Sequence, residues 1–499
     1  MALAAREQRP REAKGVEQRV EEYPLEAGNH LVQVVIPPEM RDEDPAGSLA
    51  RFIVNISFKD LPSDVIERVK VYVLDTLGVM LAGSGQEGVS PILKLVKEWK
   101  GAPQSRILLF GDKVPAPHAA FAMGVMARAL DLGTVNDHGM HVDEYLMPST
   151  LAVSDWLGNV SGKNFIVAYA LGHEVSDRIG AATFSMSYAL KAGSSQHDAV
   201  WGPTCAVCKL LDLNADAIWN AIGIVYSALS PMDYQASLEG NLMKRIQHCF
   251  ACMNGVLCPL LAKEGITGTR QVFSGIKGYL HTQYPWKNDI EALTKGLGEE
   301  WLLRDTNIKF YSCCLLIHGA ISGCLELKRK HGLKAADVKD IKILVPPQAA
   351  SVVEPREIKW NPQTMPAAQF SLPFCVATGF IKERVSLVDF TAEEIKNKNV
   401  HDLMRKIDVS YTSKLKKNGT AKVKIVTKDG RPYYEEILAW KGSTEKPVTF
   451  DEEAEKFIDC AKFTIKTLPK NHIEQVIDMV RNLEKVDNIC KIVDLLTVQ

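Results

Sequence analysis

From Asn55 to Gly298 the chain repeats one kind of segment: roughly 12–20 residues with apolar side chains at three- and four-residue spacing, closed by Gly, Pro or Asn. That spacing lines the apolar groups along one stripe of a 3.6-residue helix, whereas the two-residue alternation of a half-buried strand is almost absent. The pattern predicts helices over 63–82, 116–130, 162–184, 199–211, 215–230 and 244–263, the first opened by Pro62 and Ser63. Residues 119–130 and 221–229 are apolar nearly all round. Helices of that kind have no face to offer water and are expected in the middle of a large helical bundle.

The character changes after Arg304. Residues 338–345 place Val338, Ile341, Ile343 and Val345 among Lys and Asp, as a strand does, and 422–440 reads as a hairpin turning at Asp429-Gly430. Residues 366–382 and 391–406 between them read as helices, which makes this stretch an α+β module. Helical spacing returns over 451–465 and 474–485. A chain of 499 residues exceeds one core. The expected fold is therefore mainly α: a large all-helical domain built from both chain ends (46–304 and 449–499) with a smaller inserted α+β domain (305–448), preceded by a disordered tail (1–45).

Composition narrows the function classes. Lys and Arg number 59 against 60 Asp and Glu, so no overall field gathers nucleic acid or an anionic membrane. No apolar run reaches the ~18–20 residues that span a bilayer, which predicts a soluble protein. The first 26 residues interleave Arg6, Arg9, Arg11, Lys14 and Arg19 with Glu7, Glu12, Glu17, Glu21 and Glu22, unlike a secretory signal or an acid-poor transit peptide. Several of the 11 cysteines fall in apolar helical patterns, which suits reduced thiols in a cytoplasmic setting. Cys205/Cys208 and Cys249/Cys252 have metal-like spacing but lie inside continuous apolar helices, where Cys acts as a small hydrophobe, so no metal is expected. Phosphate loops, nucleophile elbows and dinucleotide fingerprints are missing in their proper contexts.

Four stretches carry groups suited to chemistry. In ALDLGTVNDHGMHVDEYLMPS, a helix ends near Asp131 and a Gly-containing loop brings Asp137, His138, His141, Asp143 and Glu144 before the next helix. It reads as a proton-transfer site, His being the side chain that titrates nearest neutrality, or as a polar surface loop. SSQHDAVW puts His197 at the start of an apolar helix, as an anion site or an incidental cap. In EGNLMKRIQHCFACMNGVL, Lys244, Arg245 and His248 crowd a helix start, where cations oppose the macrodipole unless an anion joins them or they reach out to water. NIKFYSCCLLIHG sits at the expected domain junction, with Lys309, Tyr311 and His318 as cleft candidates or plain junction residues.

Several segments together resemble the MmgE/PrpD family, which includes 2-methylcitrate dehydratases and cis-aconitate decarboxylases: VLDTLGVMLAGS, ARALDLG followed by HVDEYLMPS, GHEVSDRIG, QHDAVWGPTCAVCKLLDL, MKRIQHCFACMNGVL, IKFYSCCLLIHG and AAQFSLPFCVATG. They stand in the family's order over most of the chain from Asp60 to Lys485. The resemblance implies that the α+β insertion is a lid, that the protein is a homodimer, and that lyase chemistry without a cofactor occurs in the cleft. It also implies a decarboxylase-type set at Asp131, His141, His197, Lys244 and Lys309, with Arg245, Thr134 and His248 as further substrate-binding candidates. Where the decarboxylases carry a Thr in the first loop this chain has Val135, and a site tyrosine is replaced within 347–351.

A small polycarboxylate is the expected ligand, bound by Lys244 and Lys309. His141 is the expected general acid/base, oriented by Asp131, with His197 as second proton donor or carboxylate partner. The resemblance is compatible with conversion of cis-aconitate to itaconate and carbon dioxide, with a 2-methylcitrate dehydratase-type hydro-lyase, or with isomerisation or epimerisation of a related diacid. An inactive polycarboxylate-binding dimer is the alternative outside enzymes.

Overall fold

Pro62, with φ fixed near the helical value, and Asp64 in the first turn start the helix Ser63–Gly83, and its side chains are buried without a break from Val69 to Gly83. The computed structural model describes residues 44–183, 200–229, 236, 241–285 and 287–498. The tail expected at the chain start lies almost wholly outside them. Numbering the longer helices in order, α1 is Pro45–Asn55, α2 Ser63–Gly83, α3 Val89–Trp99, α4 Ala116–Arg128, α5 Val142–Leu157, α6 Gly162–Thr183, α7 Trp201–Leu210, α8 Ala215–Ser227 and α9 Met243–Lys263. The periodicity located six of these to within a few residues; α5 is the helix expected after the His141 loop, and α1 and α3 are additional.

These helices enclose one apolar core that runs from Ala46 to Ile308 and resumes from Val448 to Leu496. Helices α4 and α9 cross closely, with Gly124 against Cys252: a Cβ there would stand 2.7 Å from Sγ. That approach explains why 119–130 is apolar on all sides. The late segment is supplied chiefly by α13 (Phe450–Ala461) and α14 (Lys470–Arg481), and α13 packs along α2.

A second core runs from Tyr311 to Ile425. After the two-residue strands β1 (Ser105–Arg106), β2 (Lys113–Val114), β3 (Val135–Asn136) and β4 (Thr306–Asn307), it is built on a four-stranded sheet in the order β6-β5-β7-β8, with β5 Val338–Val345, β6 Ile407–Tyr411, β7 Ala421–Thr427 and β8 Pro432–Ile437. β5 runs parallel to β6 and antiparallel to β7, placing Ile341 between Ile407 and Ile425. Gly430, at φ +87°, completes the β7–β8 turn. Helix α10 (His318–His331) packs on β7 and β8, and α11 (Leu372–Lys382) packs against α10 and α12 (Lys398–Met404).

Two expected helices are each broken in two. The 366–382 stretch becomes Met365–Gln369 and α11, because Ser371 turns extended and its hydroxyl accepts from Phe374 N at 3.2 Å, opening a new helix. The 391–406 stretch becomes Ala392–Ile395 and α12, with Asn397 capping the second. Strand β6 escaped the pattern because it is a short edge strand with Asp408 and Ser410 facing outward. Helix accounts for 58% and strand for 9%, so the class is mainly α with small sheets.

The segment after α4 lies where small apolar clusters link the two cores. Leu130 and Leu132 pack with Val79, Leu387 and Cys460. Val135 packs with Leu315, Ile437 and Trp440. A two-residue pair, β3 Val135–Asn136 against β4 Thr306–Asn307, ties this segment to the strand leading to Lys309. Among the described residues no helix is long and apolar enough to cross a membrane.

Candidate active site

Asp131 lies just beyond the last turn of α4, with a left-handed backbone (φ +51°) that turns its carboxylate away from the helix axis. It is buried and meets three cations. Lys309 Nζ donates to Oδ2 at 3.1 Å and to the Asp131 carbonyl at 2.8 Å. Lys244 Nζ lies 3.4 Å from Oδ1, and Arg128 Nη1 lies 2.9 Å from the same oxygen. Burial by itself would raise the carboxyl's pKa, but Lys244, Lys309 and Arg128 hold it well below the usual carboxylate range.

Each cation is fixed by its element. Lys309 follows β4; Ile308 N donates to Gly442 O at 2.8 Å and the Lys309 carbonyl accepts from Lys456 Nζ of α13 at 2.8 Å. Lys244 is in the first turn of α9, where the macrodipole is unfavourable to a cation; Asp131 supplies part of the anion that the sequence pattern called for. Its ammonium sits 3.8 Å from the centre of the Phe370 ring. Burial brings its pKa down to about 8, with Asp131 opposing the fall and Arg128 and Lys309 adding to it.

His141 immediately precedes α5 and its Nδ1 donates to the Thr134 carbonyl at 2.9 Å. A carbonyl only accepts, so Nδ1 carries the hydrogen and Nε2 is the basic nitrogen. Glu144 Oε1 is 3.4 Å from the same Nδ1. Burial pushes the imidazole well below its ordinary value, with Arg128 and Lys309 acting in the same sense against Glu144 and Asp131. In this setting His141 is neutral at physiological pH. Asp131, expected to orient His141, is instead spent on the cations, and the orienting contact comes from Thr134 and Glu144.

Glu144 itself bridges Arg128 Nη1, at 3.1 and 3.2 Å, to the two histidines. Burial opposes its ionisation, but Arg128 and His141 bring its pKa to about 2. His248 is fully buried: Nε2 is 3.2 Å from the Tyr145 hydroxyl, the two rings stack at 4.5 Å, and Nδ1 is 3.1 Å from Glu144 Oε2, off the line of a hydrogen bond. Burial lowers its pKa to about 4.

Asp131, His141, Lys244 and Lys309 thus come together across the fold. The other candidates have protein partners of their own: Arg245 donates to Glu87 O at 3.1 Å, the Thr134 hydroxyl donates to Asp143, and His248 lies against Glu144 and Tyr145. His197 lies outside the described residues. Tyr311 and His318 are buried in the second core's edge, ring to ring at 5.2 Å. Arg128 was not singled out in the sequence, although its spacing of three from Asp131 at a helix end was a usable signal. Val135, where the resemblance calls for a Thr, points into an apolar cluster. The Cys205, Cys208, Cys249 and Cys252 thiols are buried in α7 and α9, and burial pushes all four up, which leaves them unionised.

The family model for the MmgE/PrpD N-terminal domain matches residues 47–288, and that for the MmgE/PrpD C-terminal domain matches residues 311–485. The chain belongs to the MmgE/PrpD family. Among its relatives, a cis-aconitate decarboxylase of Aspergillus terreus is 25% identical over 477 residues, covering 89% of this chain and 94% of the relative. A cis-aconitate decarboxylase-like protein of Aspergillus oryzae is 24% identical, with 91% of this chain and 98% of the relative covered. The cis-aconitate decarboxylase of Mus musculus is 22% identical, with 90% and 92% covered. As an MmgE/PrpD member with decarboxylase relatives along nearly its whole length, the chain is a lyase.

Proposed function

We propose that this lyase acts without a cofactor on a small polycarboxylate, and that its reaction is the conversion of cis-aconitate to itaconate and carbon dioxide. The observation that carries the reading is the convergence of Lys244, Lys309 and Arg128 on one buried carboxylate, with the neutral imidazole of His141 in the same cluster. Three cations against Asp131 and Glu144 leave an excess of positive charge, which suits a ligand with several carboxylates. Lys244 and Lys309 are its natural anchors. His197 stays in this reading as a second proton donor or carboxylate partner.

The chemistry consumes one proton. The bond to the methylene-borne carboxylate breaks and releases carbon dioxide, and its electron pair becomes the new methylene double bond. The former double-bond pair moves to the carbon beside another carboxylate, where fixed cations stabilise the growing charge and a proton then adds. The protein groups alone keep His141 neutral; a polyanion beside it raises its proton affinity, so the ligand itself arms the acid. Delivery of that proton from Nε2 leaves Nδ1 anchored to Thr134 throughout. A homodimer in which the α+β part closes as a lid belongs to the same reading, and light scattering with and without ligand tests it.

The deciding experiment is proton NMR in deuterated buffer with cis-aconitate and, separately, 2-methylcitrate. Itaconate carrying one deuterium is expected from the first. His141→Ala should slow its formation by roughly 10²–10⁴-fold with folding intact. An alkene from 2-methylcitrate alone would replace decarboxylation with dehydration. Wild-type turnover in folded His141→Ala protein would remove the acid role.

A further inference from the structure

Beneath the His141 loop lies a second charged cluster that takes no part in the chemistry above. His173, on α6 and fully buried, has Nδ1 2.7 Å from Asp177 Oδ2 and Nε2 3.3 Å from Asp143 Oδ2. Both ring nitrogens face carboxylates, so the ring is placed as a doubly protonated imidazolium between two anions. Each carboxylate then reaches the loop. Asp143 accepts from the Thr134 hydroxyl and from the Tyr169 hydroxyl, the latter at 2.5 Å. Asp177 Oδ1 accepts from Asn136 Nδ2 at 2.6 Å.

The two points of attachment bracket the functional residue. Thr134 is the residue whose carbonyl receives the His141 Nδ1 hydrogen. Asn136 closes the other end: its side-chain oxygen accepts from Met140 N at 2.8 Å and its own N donates to Met140 O at 3.0 Å, next to His141 in sequence. Helix α6 lies tight under this turn, since a Cβ on Gly180 would stand 2.6 Å from Met140 Sδ. Tyr72 of α2 covers the remaining face of the imidazolium, stacked at 5.1 Å with its hydroxyl donating to Leu303 O. A buried cation shared by two carboxylates is an expensive way to fill space, and a hydrophobic replacement would often serve stability as well.

We propose that the Asp143–His173–Asp177 triad is a positioning device: it clamps loop 134–140 from below and thereby holds the imidazole of His141 in its Nδ1–H tautomer and facing the lysines. The inference rests on His141 acting as the acid, but its tautomer readout does not. A misplacement of about 1 Å in a reacting group costs on the order of 10²-fold in rate, so a loosened clamp should act on turnover more than on binding.

The test uses full-length protein labelled with 15N-histidine, the His141 ring signals being assigned by their loss in His141→Ala. Thr134→Val and Asn136→Ala each cut one tie and leave the triad's charges in place; His173→Gln removes the cation. We expect Thr134→Val and Asn136→Ala to remain folded and their His141 signals to show mixed tautomers. With cis-aconitate, kcat should fall by roughly 10–100-fold with KM nearly unchanged, and Thr134→Ser should restore both readouts. His173→Gln should combine the two effects if it folds; the single-tie variants decide the matter if it does not. An unchanged His141 tautomer with wild-type kcat in both single-tie variants would overturn the proposal, as would a rise in KM alone, which would make Thr134 a substrate contact. Failure of His141→Ala to slow turnover would remove the acid role while leaving the tautomer shift to report on the clamp.

Discussion

Lys244 offers the sharpest quantitative test, because burial places its titration at about 8, inside the range where the protein can be assayed. In the proposed reading the protonated form anchors a ligand carboxylate and the neutral form does not. From pH 7 to about 8 affinity should therefore be nearly level, and above that the dissociation constant should climb about tenfold per pH unit. The climb ends when the whole contribution of the contact is lost. A hydrogen bond to a charged partner contributes about 1.5–3 kcal/mol, which corresponds to a loss of roughly 10–150-fold. Isothermal titration with a polycarboxylate that is not turned over, such as citrate, between pH 7 and 9.5 reads this directly. Lys244→Arg cannot lose its proton in this range and should flatten the curve, whereas Lys244→Met should begin weak and stay weak. A Lys244→Met protein that keeps wild-type affinity and still weakens above pH 8 would refute the assignment of Lys244 as an anchor.

Two further outcomes concern stability. His173 has its pKa raised from 6.5 to about 10, burial being outweighed by Asp177 and Asp143; the groups facing it are those carboxylates and Tyr72, with Tyr169 and Asp305 beyond them. A raised folded-state value stabilises fully below the unfolded value, so its contribution should be intact below pH 6.5 and fade as pH rises towards about 10. The difference in denaturation midpoint between wild type and His173→Gln should shrink across that window, and a difference independent of pH would contradict the imidazolium. Lys456→Met should leave Asp75 and Glu453 together without their cation and cost about 3 kcal/mol in chemical denaturation, partly recovered by adding Asp75→Asn; a loss under about 1 kcal/mol would show the cluster to be inert.

The helical half of the molecule was legible because its signal is local: α2, α6 and α9 begin and end within a few residues of where spacing and start residues put them. Hairpin β7–β8 was legible for the same reason, with Asp429-Gly430 naming its turn. The breaks near Ser371 and Asn397 were not, since each replaces one continuous apolar pattern by two short helices, and only the capping side chains betray them. At the site, Lys244 and Lys309 were visible as cations and His141 as a poised histidine, whereas Arg128 was passed over. Their grouping was not, because Asp131 meets Lys244 and Lys309 across 113 and 178 residues of chain. Glu144 hid among several loop acids. Two of the triad's three members, His173 and Asp177, stand four apart on one helix face, a usable spacing that was not taken up, and the third, Asp143, is 30 residues from His173.

The hydrogen bond from Lys456 to the carbonyl of Lys309 has a consequence for how the enzyme comes into being. The ribosome delivers Asp131, His141, Lys244 and Lys309 before it delivers α13, so a nascent chain holds these four side chains while Lys309 still lacks its brace. The helix that supplies the brace also packs along α2, where Lys456 pairs with Asp75, so the same element that braces the lysine covers part of the core. Seating of Lys309 thereby waits on α13, and a chain released before residue 456 would hold this lysine without its brace.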